Sequence, residues 1–287
     1  MDNTSKKNPK NSEESDDKSA KSIDELKDEI RKLSEKQDKI LKVVNKKTKI
    51  IAITTIPTII IILIFVFSAN HYFVATKEIA YGLQSNYEIE DLKGEKIDTW
   101  VSWRITPGDP FHIHVQSSPE VTDHRLQMIR DVIFSNDTTK IDNQTYYKGW
   151  DGAVQEVSKR YTKFPIPLHF HTVITDFGNG NIIIKLTNLE NADGYSGYTK
   201  SIMDVSNHQL LKSEVTIYKV DQLDDEQFKT ILRHELGHGF GLGHSDVQGD
   251  LMYPMLDDQN YGISECDIQT LAGLYSGEER SHVICTK

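Results

Sequence analysis

The most apolar stretch of the chain, Ile50 to Phe67 (IIAITTIPTIIIILIFVF), carries no charged residue. As a helix rising about 1.5 Å per residue it would span roughly 27 Å, close to the hydrocarbon thickness of a bilayer. It therefore predicts one transmembrane helix over residues 50–69. Pro57 would break a soluble helix but is tolerated in a membrane one, where the freed carbonyl finds another partner. A cleaved signal peptide has a short basic start and a shorter apolar run, whereas 49 residues precede this one. Lys39, Lys42, Lys46, Lys47 and Lys49 lie before the span, and only Lys77 follows closely. That asymmetry predicts a single-pass membrane protein with a cytoplasmic N-terminus and everything from about residue 70 outside the cell.

Residues 1–21 contain no apolar side chains that could seed a core, which predicts a disordered cytoplasmic tail. A regular pattern begins at Ser22, which forms a capping box with Glu25. Ile23, Leu26, Ile30, Leu33, Gln37, Ile40 and Val44 then alternate at spacings of three and four. This heptad seam predicts an amphipathic helix over residues 22–49. Residues 22–44 of it could associate as a short coiled coil and make the protein a homo-oligomer, although Gln37 on the seam weakens that case.

Beyond a stalk expected over residues 70–98, period-two alternation predicts strands at Phe111 to Gln116 and Leu168 to Thr175. Shorter β-branched runs lie at Asn181 to Thr187 and Glu214 to Tyr218. Apolar positions at helical spacing mark Glu120 to Phe134 and Gly152 to Phe164. A further helix should start near Asp224, and a last one at Ser264, boxed with Asp267 and ending near Tyr275. The expected fold class is α+β, with long helices on one mostly β layer, in a domain covering residues 99–287. Composition adds one exclusion. The 33 lysines and arginines against 43 aspartates and glutamates leave a net charge of −10, the wrong sign for a protein that holds phosphate backbones, so nucleic acid is not an expected partner.

The chemistry is concentrated in His234-Glu235-Leu236-Gly237-His238-Gly239-Phe240-Gly241-Leu242-Gly243-His244. On a helix, His234 and His238 stand one turn apart and present two imidazoles on one face, as two corners of a zinc site require. Phe228, Leu232 and Leu236 form a buried stripe on another face. Gly241 allows a left-handed exit that returns His244 as a third ligand, leaving a fourth position for water. Glu235 is placed to act as general base on that water without being a ligand itself.

These eleven residues match the signature of the metzincin zinc endopeptidases at every fixed position. The flanks are similar to the matrixins within that group: Ser245 follows the third histidine, and Leu251-Met252-Tyr253-Pro254 resembles the matrixin methionine turn. The resemblance implies a zincin-like domain with a mixed twisted sheet, an active-site helix and a C-terminal helix. It implies one catalytic Zn2+ on His234, His238 and His244, Met252 as an apolar floor beneath the metal, and Tyr253 and Pro254 in a wall of the substrate pocket. It also implies protein or peptide substrates lying extended along an edge strand, for which Gly197 to Val205 is the candidate.

The sequence also departs from the family. There is no cysteine before Cys266, so no cysteine is available to occupy the metal from an N-terminal segment. Leu189 to Ser206 contains no histidine, so the structural zinc of animal matrixins is not expected. The oxygen-rich turns at Asp176 to Asn181 and Glu190 to Gly194 could hold Ca2+. His112 with His114, and His169 with His171, each sit two apart on a strand face, without an obvious third ligand. Cys266 and Cys285 could form a disulfide in an exported domain, and Asn136 and Asn143 begin glycosylation sequons. The expectation is a membrane-anchored zinc metalloendopeptidase. Two alternatives remain: an inactive binding protein on the same fold, and a metallohydrolase of a non-protein surface polymer.

Overall fold

The computed structural model of the chain describes residues 25–46, 83–160, 162–256 and 262–285. The chain divides into two units at Glu78/Ile79. In the first, residues 25–46 are helical (α1), and Asp28 pairs with Arg31 and Lys32 along its surface. Leu26, Ile30, Leu33 and Ile40 of the expected seam are each more than half exposed. The apolar run at 50–69 lies outside the described residues. Among those described, no helix is long and apolar enough to cross a membrane.

The second unit is built on a nine-stranded mixed sheet. Its strands are β1 (Leu83–Glu90), β2 (Ser102–Trp103), β3 (Phe111–Gln116), β6 (Phe170–His171), β7 (Ile174–Thr175), β8 (Ile182–Leu186), β9 (Gly197–Asp204), β10 (Gln209–Ile217) and β11 (Met255–Leu256). The main order is β11-β1-β9-β10-β8-β3-β6. Strands β10, β8, β3 and β6 run parallel, while β9 is antiparallel to β10. Strands β4 (Thr138–Ile141) and β5 (Gln144–Tyr147) form a separate hairpin turned by Asp142 and Asn143, both left-handed. Side chains of this type tolerate that conformation better than most.

The helices are α2 (Asp123–Phe134), α3 (Trp150–Ser158), α4 (Asp225–Gly239) and α5 (Glu265–Ser276). Capping explains the starts of three of them: Thr122 accepts from Arg125 N at α2, and Asp224 with Gln227 and Ser264 with Asp267 form reciprocal capping boxes at α4 and α5. Phe111, Ile113 and Val115 of β3 belong to the same buried core as Trp150, Phe228, Leu232, Leu236 and Phe240. The Trp150 indole donates to Arg233 O and the Trp103 indole to Gly239 O, both at 2.9 Å, which ties α4 to its surroundings at two points.

One expected boundary needs correction. Residues 70–98 are not a stalk from Leu83 onward, and the domain does not begin at 99. Strand β1 pairs in parallel with β9 over six residues and antiparallel with β11 over two, and its Ser85 and Ile89 are buried. A backbone with hydrogen-bonding partners on both edges is an integral part of the sheet. The segment LQSNYEIE conceals this because only three of its eight residues are apolar or aromatic.

Candidate active site

The site starts from the way α4 ends. Gly241 has φ +105, Leu242 N donates to Gly237 O at 3.0 Å and Gly241 N to His238 O at 2.9 Å. This is the two-bond closure of a Schellman motif. A Cβ at Gly241 would collide with Val101 O, so both the turn and the packing require glycine there. The exit brings Leu242 O to 2.7 Å from His238 Nδ1, and the methionine turn brings Leu251 O to 2.6 Å from His234 Nδ1. A carbonyl only accepts, so each Nδ1 carries the proton and each Nε2 keeps a free lone pair.

The Nε2 atoms of His234, His238 and His244 are buried without a hydrogen-bond partner. One ligand nitrogen from each ring lies within 4.8 Å of the others. Orphaned buried polar atoms are uncommon and costly, and three converging imidazoles form the donor set that divalent zinc accepts. Burial holds His234 down at about 3 and His244 at about 4, and His238 well below the usual histidine range. The rings are therefore neutral at physiological pH, as metal ligands must be.

Glu235 is fully buried. Ser85 Oγ of β1 donates to its Oε1 and Thr199 Oγ1 of β9 to its Oε2, both at 2.6 Å. Burial pushes the carboxyl up to about 8, with the two hydroxyls acting in the opposite direction. Met252 is buried beneath α4: a Cβ at Gly237 would stand 2.5 Å from its Sδ. Met252 O accepts from Ser245 N at 2.8 Å, which couples the turn to the residue after His244. Tyr253 and Pro254 are half-buried just downstream, and Pro254 O accepts from Ser85 N at 3.1 Å.

The sequence model of the matrixin family matches residues 132–276, half of the chain. The chain belongs to the matrixin family. Curated relatives of this matrixin include the probable matrix metalloproteinase 095L of Invertebrate iridescent virus 3, 34% identical over 68 residues, which is 24% of this chain and 19% of the relative. Matrilysin of Homo sapiens is 41% identical over 51 residues, 17% of this chain and 19% of the relative. The chain thus spans about a fifth of the length of either.

The structure brings His234, Glu235, His238, His244 and Met252 of this matrixin together and adds residues that sequence reasoning missed. Besides Ser85 and Thr199, Tyr87 of β1 stacks on the His238 ring with centroids 4.4 Å apart and planes 9° from parallel. Strand β1 lies between β9 and β11, so the edge of β9 expected to receive substrate is covered by the chain's own backbone. Beside it a cavity of about 650 Å³ adjoins His244, bounded by Tyr87, Lys96, Gly243 and His282 among others. Cys266 and Cys285 are joined as a disulfide. In the turns expected for Ca2+, Asn181 Oδ1 accepts from His112 N and Asn179 Oδ1 from Thr175 Oγ1 in the first, and Asn191 Oδ1 accepts from Asp193 N in the second, so these side-chain oxygens are spent within the fold. Among the described residues, neither turn belongs to a cluster of metal-ligating side chains.

Proposed function

We propose that this matrixin is a zinc-dependent endopeptidase. The observation that carries the reading is the convergence of three partnerless Nε2 atoms, from His234 and His238 on α4 and from His244 in the loop after it, beside a Glu235 that is hydrogen-bonded to an extended strand. Zinc held there would act as a Lewis acid, lowering the pKa of its water toward neutrality and polarising the scissile carbonyl. Glu235 takes the proton of the attacking water and returns it to the leaving amine. A dication held beside it would favour the ionised carboxylate against the burial that raises its pKa, which would suit it to both transfers. Thr199 orients the carboxylate, and Met252 with Gly237 sets the height of the two helix-borne imidazoles.

The groove between β9 and β11 accommodates an extended backbone, because β1 already lies there. That favours a peptide over a non-protein polymer as substrate, and an intact Glu235 argues against a mere binding module. A substrate occupying this groove would take the place of β1, so β1 competes with substrate for it. Digestion of an unfolded protein by the zinc-loaded chain, abolished by a chelator and restored by zinc, tests the assignment. No cleavage by protein whose β1 has been displaced would refute it.

The proposal extends to placement. The uncharged run at 50–69 and the lysines before it support a single-pass anchor with a cytoplasmic N-terminus and an extracellular catalytic unit. The exposed seam of α1 supports self-association through residues 22–44. Retention in membranes after a carbonate wash tests the anchor, and recovery of a soluble form beginning near residue 70 would overturn it.

A further inference from the structure

Three other histidines meet on β3 and β6. His112 lies opposite His171 in the parallel register of these strands, and His114 is two residues along β3 on the same face. That face is the one turned away from the core residues Phe111, Ile113 and Val115. Ring centroids are 5.2 Å apart for His112–His114 and for His112–His171, and 6.2 Å for His114–His171. The corresponding values in the active site are 4.6, 4.7 and 5.6 Å. One ring nitrogen from each of His112, His114 and His171 falls within 4.8 Å of the others. The two pairs seen in the sequence are thus recombined: His169, whose backbone is left-handed, takes no part.

At His114 the protonation pattern of the active site recurs. His114 is 7% exposed, and its Nδ1 donates to Asn179 O at 2.6 Å, so Nε2 keeps a lone pair; that Nε2 is buried without a partner. His112 Nδ1 is likewise buried and partnerless. Gly180 closes the loop against the His114 ring, where a Cβ would stand 3.2 Å from Nδ1. A histidine that serves only as packing gains nothing from a buried ring nitrogen left without a partner, as at His112 and His114. Each orphan costs about 1–3 kcal/mol unless something fills the gap.

We propose that His112, His114 and His171 form a second metal site, for a borderline divalent transition ion of the zinc class. The donors are all imidazole nitrogens, which suit zinc and its neighbours and not calcium or magnesium. A tetrahedral ion at about 2.0–2.1 Å needs donors roughly 3.4 Å apart, within the 4.8 Å that bounds the separation of the three ring nitrogens. The fourth position opens to water on the His171 side. The ion fastens the two-residue strand β6 at the edge of the sheet to β3. The site shares no residue with the first.

The test is zinc stoichiometry of the full chain, dialysed against micromolar zinc and measured by elemental analysis. Two equivalents are expected. His171→Ala, at an exposed position that leaves the core untouched, should lower the count to one and weaken the second equivalent at least 10-fold. His112→Gln should do the same. In a His238→Ala background the remaining equivalent, loaded with cobalt, should give the intense visible bands of a tetrahedral nitrogen site and lose them on addition of His171→Ala. A wild-type count of one, or a second equivalent that survives both His171→Ala and His112→Gln, overturns the proposal.

Discussion

Ser85 Oγ donates a 2.6 Å hydrogen bond to Oε1 of Glu235, 150 residues further along the chain. The bond spends one oxygen of the Glu235 carboxylate on the chain's own strand, while Tyr87 covers His238 from that strand. No cysteine is involved. A hydrogen bond of this kind contributes about 0.5–1.5 kcal/mol, so replacing Ser85 and Tyr87 together by alanine should loosen β1 and raise the initial rate on a fluorogenic peptide about tenfold. A folded, zinc-loaded double variant no faster than the parent would mean that β1 does not compete with substrate.

Glu235→Gln separates binding from chemistry. The amide keeps the size of the side chain and accepts from Ser85 or Thr199, but it cannot take a proton. The variant should bind zinc as the parent does and lose about 10²- to 10⁴-fold in turnover. Parent-like turnover would move the base to another group.

His244 is held by a loop and not by the helix, and burial keeps its pKa at about 4. His244→Ala should remove the active-site zinc and activity together, measured by metal content and peptide hydrolysis on one sample. Retention of both would reduce the site to the two helix-borne ligands.

Much of this was legible in the sequence because it rests on local rules. Phe111 to Gln116 alternates and is strand β3 with those bounds; Asp224 and Ser264 cap α4 and α5 as their spacing to Gln227 and Asp267 requires. The spacing of His234, His238 and His244, with Gly241 between, carries the metal-site geometry. What stayed hidden depends on partners distant in sequence. Strand β1 has no apolar periodicity because its role is to pair backbone and to place Ser85 and Tyr87 over residues 150 positions away. Leu168 to Thr175 reads as one strand but forms β6 and β7, and which histidine joins His112 and His114 is decided by β3–β6 register, which no local pattern encodes. No apolar pattern marks the hairpin β4–β5, because TTKI and QTYY lack a buried face.

Gly237→Ala tests the floor of the site. Alanine in a helix interior ordinarily stabilises by about 0.5–1 kcal/mol relative to glycine. Here the added methyl would stand 2.5 Å from Met252 Sδ and 3.2 Å from Trp150 Cζ2, and overpacking a core costs about 1–3 kcal/mol. The strain wins, so the melting temperature should fall. A rise would show that Met252 does not press on this turn of α4.

The last prediction concerns two buried carboxylates. Asp250 Oδ1 accepts from Met252 N at 2.9 Å, and Ser264 Oγ bridges Asp250 and Asp267 at 3.1 and 2.9 Å. Burial pushes Asp250 above its ordinary range and Asp267 well above, the latter further raised by the neighbouring Asp250 charge. Because both folded pKa values lie above the unfolded value of about 3.8, the pair's contribution to stability is fully present below that pH and is lost as pH rises through the folded values. Asp267→Asn replaces the protonated carboxyl by an amide that still accepts from Ser264 N and donates to Asp250. The variant should therefore melt higher than the parent at pH 8, by about 2–4 °C for each kcal/mol recovered, and match it near pH 4. Thermal unfolding across pH 4–8 decides the point. An equal loss of stability at every pH would show that the capping geometry of Asp267 matters and its proton does not.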